Sequence, residues 1–375
     1  MKRNQQPAVI LIVVVGILFS LIPLTYGADA NPVWQVDWEK TVQAAKKGQL
    51  VLYGDQEITH PDILAAFNRE YPYIKVITVG GKEVELRQRI VAERRAGKYL
   101  ADLYAGGPNT PREFYLGKML DPIAPALMLP EVTDTSKWYG GKHHYADPEN
   151  KYLFMFEGTV TSTSFQYNTK LVNPDEIKSY WDLLHPKWKG RILAWDPRGS
   201  LPTATLILYY KPEVGPEFIK RLFGEMDTTL FRDRRQGTDW LAQGKFPLCF
   251  FCRDIEKAQK QGLPVDVLEP DRLKEAGSIG GGGSSVLILF NKAPNLNAAK
   301  VFINWYLSRQ GQMIWQKVMN TNALEPSDSM RIDIPKDDVI PSARRIEGRK
   351  YQVIGFLDPK PVQKLISEVL GEVGR

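Results

Sequence analysis

Hydrophobic and polar positions along the chain switch between two periods. Val33–Gly48 (VWQVDWEKTVQAAKKG) repeats at helical spacing, and Leu50–Tyr53 is an apolar run of strand length. Pro61–Glu70 returns to helical spacing with Ile63, Ala66 and Phe67 on one face, and Ile74–Val79 predicts a second strand. Glu83–Ala96 predicts a highly charged helix with Leu86, Ile90 and Val91 inward and Gly97 placed to end it. Ala101–Tyr104 predicts a third strand, running into GGPNT. Strand, helix, strand in this order predicts a parallel sheet with right-handed crossovers. The three strands run into Gly54-Asp55, Gly80-Gly81 and Gly106-Gly107. Ligands bind at the carboxyl edge of such sheets, and glycine lets a ligand approach the backbone N–H groups there.

Pro122–Asn150 reads as loop-rich. Lys151–Tyr167 (KYLFMFEGTVTSTSFQY) predicts two extended segments, with Thr159–Ser164, small hydroxyl residues of high β preference, connecting two halves of the molecule. Ser179–Leu184 and Pro186–Gly190 lead into a strand over Arg191–Trp195. Helices are predicted over Thr203–Tyr210, Pro216–Phe223, Thr238–Gln243 and Asp254–Gln261, and a strand over Phe246–Phe251. In GSIGGGGSSVLILF, Gly280–Gly283 precede an apolar strand. Two readings stay open for them: a flexible loop, and a second crossing between halves with glycines facing a cleft. NLNAAKVFINWYLSRQGQMIWQKVM predicts two helices, with Ala299, Phe302, Ile303 and Tyr306 on one face and Ser308 as a cap.

The first residues change the picture. MKRNQQP followed by AVILIVVVGILFSLIPL reads as a secretory leader over residues 1–30, with Gly27, Ala28 and Ala30 as small residues for cleavage. The alternative is an uncleaved N-terminal anchor, against which stand the short apolar run and Pro23. Either way the expected location is periplasmic or extracellular. The remaining length suits about two domains, and 43% hydrophobic with 25% charged residues supports a sizeable core. The formal charge of +6 includes Lys2 and Arg3 of the leader. The remainder is dispersed, without a basic stripe interleaved with aromatics, and argues against nucleic acid as a partner.

Cys249 and Cys252, in CFFCRDIEKAQKQG, are the only cysteines. A CxxC between a strand and a helix is the arrangement of a thiol–disulfide oxidoreductase. A thioredoxin domain, however, carries it near the start of a domain about half this length, after a different strand order. Zinc would need two further ligands, and no Cys or His lies close in sequence. His143-His144 with Asp147 is a weak metal pattern that reads as surface loop. No GxSxG, HExxH or phosphate-binding loop is present. No enzyme, metal or cofactor is expected.

The ordered set VLYGDQEITHPDILAAFNREYPYIKV, LADLYAGG, FQYNTKLV, SYWDLLHPKWKGRI and NLNAAKVFINWYLSRQGQ resembles the extracellular solute-binding proteins of ABC transporters, and within them the ferric-iron-type branch of the type 2 periplasmic binding proteins. The resemblance implies an α/β fold of two lobes joined by two crossing strands, with ligand bound between them. Lobe one would hold residues 33–161 and 285–335, and lobe two residues 162–284 and 336–375. The crossings would be Thr159–Ser164 and Gly283–Val286. The protein would act as a monomer, pass a small-molecule ligand to an ABC permease and catalyse nothing.

Ferric members hold iron with a histidine, a glutamate and adjacent tyrosines. Their positions fall here at Glu57, Gly107 and the pair Cys252-Arg253, so none of those side chains is kept. Ferric iron wants phenolate and carboxylate oxygen. Tyr209-Tyr210 sits in an apolar helix and reads as core. The chain offers anion chemistry instead. Arg198-Gly199-Ser200 stands at the start of the Thr203 helix, where N–H groups point outward, and the resemblance gives the matching loop a bound oxyanion. Arg253 stands at a second strand-to-helix junction, and a guanidinium grips carboxylate or phosphate with two hydrogen bonds. Tyr53, Phe250 or Phe251 would supply an apolar wall. Asp55, Gln56 and Glu57 would face the ligand from lobe one, with the backbone of Gly106, Gly107 and Gly281, and Cys252 beside Arg253. The expected ligand is a small polar molecule, an organic or phosphorylated anion. Ferric iron or an iron chelate is the alternative, and thiol–disulfide exchange at Cys249 and Cys252 the second. A further reading has Arg198, Arg253, Asp55 and Glu57 pairing with one another across the cleft.

Overall fold

The computed structural model describes residues 32–371, apart from Asp55, Pro108, residues 162–164, Ser200, residues 270–271, Ala276, residues 280–284 and 322–326, and Ser342. Helix α1 (Val33–Ala45) leads into strand β1 (Gln49–Gly54), the short helix α2 (Gln56–Thr59) and helix α3 (Pro61–Glu70). Helix α3 starts where Pro61 supplies a preset φ and His60 Nδ1 accepts the Asp62 N–H at 3.2 Å. It buries Ile63, Ala66 and Phe67, the face read from the sequence. Strand β2 (Lys75–Val79), helix α4 (Glu83–Arg95), strand β3 (Leu103–Gly106) and helix α5 (Asn109–Leu116) complete the first parallel unit. Between residues 120 and 155 come strand β4 (Leu120–Asp121), helix α6 (Pro130–Thr133), several 3₁₀ turns, and strands β5 (His144–Tyr145) and β6 (Phe154–Met155).

Strand β7 (Val160–Thr161) leads to strand β8 (Phe165–Asn168), the first strand of a second sheet. Strand β9 (Ile192–Trp195), helices α7 (Thr203–Tyr210) and α8 (Gly215–Gly224), strand β10 (Thr229–Phe231), helix α9 (Arg234–Ala242), strand β11 (Leu248–Phe250), helix α10 (Ile255–Lys260) and strand β12 (Val265–Val267) follow. The chain returns through strand β13 (Ser278–Ile279) to strand β14 (Val286–Phe290), helices α11 (Leu296–Leu307) and α12 (Arg309–Thr321), strand β15 (Gln352–Val353) and helix α13 (Pro359–Leu370).

Both large sheets follow one plan. The first has the order β2-β1-β3-β14-β6-β5, with β4 also on β14; the second has β10-β9-β11-β8-β12. In each, one strand lies between two parallel neighbours, β1 between β2 and β3 and β9 between β10 and β11, and the next strand outward, β14 or β8, is antiparallel and adjoins a crossing segment. Helices cover both faces, so the central strands are buried throughout. In β1, Leu50 and Leu52 join the core under α3 and α11, while Val51 and Tyr53 join the core under α4 and α5. In the second sheet, Phe165, Ile192, Leu248 and Phe250 join α7, α8 and α13, and Leu193 and Cys249 join α9 and α10.

Two crossings were expected, and the tail adds a third strand to them. β13 pairs antiparallel with β7 and parallel with β15. A two-residue strand in IEGRKYQVIGF has no periodicity long enough to read. Of the expected crossing segments, residues 162–164 and 283–284 lie outside the described residues. The tail beyond residue 326 also divides. Residues 327–345 lie along the first unit, with Gly158 donating to Asp328 O at 2.6 Å, Met330 to Phe156 O at 2.7 Å and Val160 to Ala343 O at 2.9 Å. Helix α13 instead packs on α7 and α8.

A buried ionic network fastens this segment beside the crossings. Asp328, Arg331 and Lys336 are almost wholly withdrawn from water. Asp328 meets Lys336 Nζ at 2.5 Å and Arg345 Nη1 at 3.5 Å, and its N–H donates to Thr159 Oγ1 at 3.0 Å. Thr159 donates in turn to Glu157, whose other oxygen accepts the Ser285 N–H at 2.7 Å. One chain of hydrogen bonds therefore joins the tail to both crossing segments.

Candidate functional site

Parallel strands that share a direction present their carboxyl ends along one edge, where the following loops leave room for a ligand. At that edge of the first sheet, β1 ends on Gly54 (φ +153°), where an added Cβ would stand 2.5 Å from Ala105 O and 2.7 Å from Ile58 Cγ2. Only glycine fits this approach. Asp55 lies outside the described residues, Gln56 opens helix α2, and the Glu57 carbonyl accepts the Tyr306 hydroxyl at 2.9 Å. β3 ends at Gly106, paired with Val286, and a Cβ on Gly107 would lie 3.0 Å from Glu83 Oε1. Ser285, one residue before Val286, is wholly buried beside the Glu157 carboxylate, itself 4% exposed. Gly281 lies outside the described residues.

Tyr53 sits elsewhere. Its ring is buried under α4, with the hydroxyl donating to the Glu93 carboxylate at 3.0 and 3.1 Å and the Arg89 guanidinium 5.5 Å from the ring centroid. Burial, reinforced by Glu93, pushes its pKa up to about 12. Period-two alternation sends Tyr53 to the side of Val51, away from Leu52.

The matching edge of the second sheet carries arginines. Arg232 follows β10 by one residue, Arg198 follows β9 by three and Arg253 follows β11 by three, on three adjacent strands. Asp196 organises two of them. Its carboxylate is 3% exposed and accepts Arg198 Nε at 2.9 Å, Arg198 Nη2 at 2.8 Å, the Arg198 N–H at 3.1 Å and Arg232 Nε at 2.9 Å. Arg198 Nη1 also donates to Leu370 O at 3.3 Å. Gly199 is exposed, with open space where a Cβ would stand, and Ser200 lies outside the described residues. Helix α7 begins three residues on, after Pro202.

Burial alone would raise the Asp196 pKa, but the bonds from Arg198 and Arg232 override it and bring it from 3.8 to about 2. A lowered carboxylate pKa is stability present above the ordinary value and lost as pH falls through the folded one. Asp196→Asn is therefore expected to cost about 2 kcal/mol near neutrality. That deficit should shrink as pH falls from 3.8 toward about 2. Denaturant titrations of both proteins across that range check it; a deficit constant down to the lowest pH contradicts the assignment.

Arg253 is held by its loop. Phe251 (φ 70°) and Asp254 (φ 59°) are left-handed, which for a residue as bulky as Phe costs about 1–3 kcal/mol. A disulfide joins Cys249 to Cys252, the Cys252 N–H donates to Gln166 Oε1 at 2.8 Å, and Thr238 Oγ1 donates to Arg253 O at 2.6 Å. The Arg253 side chain is exposed, its guanidinium lies 5.1 Å from the Phe251 centroid, and among the described residues it makes no ion pair. Both sulphurs belong to buried residues, Cys249 fully so and Cys252 at 5% exposure, which leaves no thiolate accessible for exchange.

Sequence reasoning missed Arg232, Glu83, Glu157 and Ser285. Arg232 follows a three-residue strand too short to predict, though Arg232-Asp233 just after the apolar Leu230-Phe231 echoes Arg253-Asp254 after FFC. Of the alternative pairing among Arg198, Arg253, Asp55 and Glu57, Arg198 pairs within its own loop with Asp196, and Asp55 lies outside the described residues. His143 and His144, read as surface, are half-buried and buried. Their Nε2 atoms bond Val132 O at 2.9 Å and Tyr139 O at 2.8 Å, and burial lowers both pKa values. Asp147 is buried too, accepting the N–H groups of Lys151, Tyr152 and Leu153. These residues fold a turn. Tyr209 and Tyr210 are half-buried on α7, with the Tyr210 hydroxyl donating to Asp358 O at 2.9 Å. Among the described residues no three His, Cys, Asp or Glu side chains gather closely enough to hold a metal ion. A surface recess of about 370 Å³ lined by Pro174, Lys178 and Leu273 contains no strand-end residue, and Arg272 on its wall is already paired with Asp175 at 2.7 Å.

Comparison with known proteins supports the same class. The profile of the bacterial extracellular solute-binding proteins matches residues 62–327. An uncharacterized protein of Haemophilus influenzae is 24% identical over 296 residues, 73% of this chain and 77% of that protein. Trichodesmium FutA, solved with iron and citrate, superposes with a TM-score of 0.61 at 17% identity, over 87% of this chain and 100% of that one. AfuA of Actinobacillus pleuropneumoniae, solved with fructose-6-phosphate, gives 0.52 at 18% identity, over 87% and 99%. Two sheets of one plan, linked by crossing strands, are the type 2 periplasmic binding protein fold, and the chain belongs to the bacterial extracellular solute-binding protein family, the extracytoplasmic binding components of ABC transporters.

Proposed function

We propose that this protein binds a small organic or phosphorylated anion between its two lobes and delivers it, as a monomer, to an ABC permease after its leader has been removed. The first lobe comprises residues 33–161 and 285–335, and the second residues 162–284 with the tail helix α13. The observation that carries the reading is the row Arg232, Arg198 and Arg253, of which the first two share the one buried carboxylate of Asp196 while Arg253 has no ion pair among the described residues. An arginine row with a charge in excess favours an anion. The fructose-6-phosphate of AfuA and the citrate beside iron in FutA are anions on the same fold. The ferric reading is weaker, because Glu57, Gly107 and the Cys252-Arg253 pair give one carboxylate, a disulfide sulphur and a cation where ferric iron needs several anionic oxygens.

A thermal-shift screen of phosphorylated and carboxylated metabolites against the purified protein identifies the ligand, and calorimetry of Arg253→Ala tests its seat. A charge-assisted hydrogen bond contributes about 1.5–3 kcal/mol net, so the dissociation constant should rise about ten- to a hundredfold. Undiminished binding by Arg253→Ala rejects the anion reading.

A further inference from the structure

The two edges that face the cleft carry opposite charge. The second lobe presents Arg232, Arg198 and Arg253. The first presents Glu83, whose carboxylate overhangs Gly107, and Glu157, whose carboxylate lies at the Ser285 N–H on the other side of the same two glycines. Glu57 opens the neighbouring loop. A second observation marks this edge. Ser285 is wholly buried beside the Glu157 carboxylate, and among the described residues its hydroxyl has no hydrogen-bond partner. A buried hydroxyl left unmade is costly, which is the condition a bound polar group relieves.

Resting on the anion reading above, we propose that the ligand is a zwitterion, with its anionic group on the second-lobe arginines and an ammonium group on the first-lobe floor formed by Glu83, Glu157, Ser285 and the Gly106-Gly107 carbonyls. An ammonium carries three donors and no acceptor. Carboxylates, a hydroxyl oxygen and main-chain carbonyls are the acceptors it needs, and a purely anionic solute would meet two negative groups there. Like charges brought together in a partly desolvated cleft oppose binding, so the same two glutamates select against anions without an amine.

The test uses graded-length ω-aminoalkyl phosphates, the alkyl phosphates without the amine, and diamines without the phosphate, each titrated calorimetrically into the purified protein. At least one aminoalkyl phosphate is expected to bind ten- to a hundredfold more tightly than its amine-free counterpart. Glu83→Gln should remove most of that difference, weakening the aminoalkyl phosphate while the alkyl phosphate binds as tightly as before or more tightly, because one repelling carboxylate is gone. Equal affinity for the two phosphate series overturns the zwitterion and leaves the anion reading standing. Binding of diamines alone overturns both. An equal loss of both phosphate series in Glu83→Gln reduces Glu83 to a structural residue and also overturns the assignment, as does a failure of every aminoalkyl phosphate to bind.

Discussion

Asp328→Ala is expected to lower the unfolding free energy by about 3–5 kcal/mol, the range for deleting one partner of a buried ion pair. Asp328 is wholly buried between Lys336 and Arg345, and removing it leaves two largely buried cations without their carboxylate. The sign of the pH dependence follows from Lys336. Burial, opposed by Asp328, lowers its pKa from 10.5 to about 8. The unfolded chain therefore holds more protons than the folded one between those values, and this residue's contribution to stability rises with pH across that window. Without Asp328 the lysine sheds its proton more easily, so the deficit of the variant should narrow as pH climbs toward 8. Denaturant midpoints at neutral and alkaline pH measure both effects. A loss below about 1 kcal/mol would place the pair among weak surface contacts.

Gly54→Val should be nearly as damaging, through sterics. The added Cβ would fall 2.5 Å from a backbone oxygen and 2.7 Å from Ile58, at a φ of +153°. Overpacking costs about 1–3 kcal/mol and a strained backbone about as much again, so a loss of about 2–6 kcal/mol is expected. Ligand binding should fall with it, because β1 hands directly to the loop holding Glu57. Gly199→Ala is the control. Nothing stands near its Cβ, and its stability should stay within about 0.5 kcal/mol of the parent. Thermal unfolding of the two variants side by side decides it, and a Gly54→Val protein as stable as Gly199→Ala would mean that the loop gives way freely.

The elements legible in the sequence were those with long periodic faces. Pro61–Glu70 was read with its bounds and its buried residues, because a proline start and three apolar residues on one stripe leave little choice. The charged helix over residue 90 likewise buries Leu86 and Ile90 as its spacing demanded. What escaped was short or defined by partners. β10 and β15 are three and two residues long, and such strands exist because a neighbour offers them hydrogen bonds. Arg232 went unseen with β10. Tyr53 shows a finer loss: its place at the end of a strand was readable, but the face it turns to depends on register, and a step of one residue moves it from cleft to core. His143 and His144 look polar in sequence, yet a carbonyl for the Nε2 of each ring lets them be withdrawn from water.

The interleaved course of the chain has a consequence for how the molecule is made. The first sheet needs β14, which lies beyond the whole second sheet, and the second core needs α13, which begins at Pro359. A chain that emerges from its amino terminus therefore leaves the first sheet, begun at Gln49, open until Val286 arrives, and the second core, begun at Phe165, open until the helix that starts at Pro359. Translocation behind an amino-terminal leader requires a chain that stays unfolded while it moves. By closing each core with a late arrival, this topology keeps both lobes unfinished until almost the whole polypeptide is available.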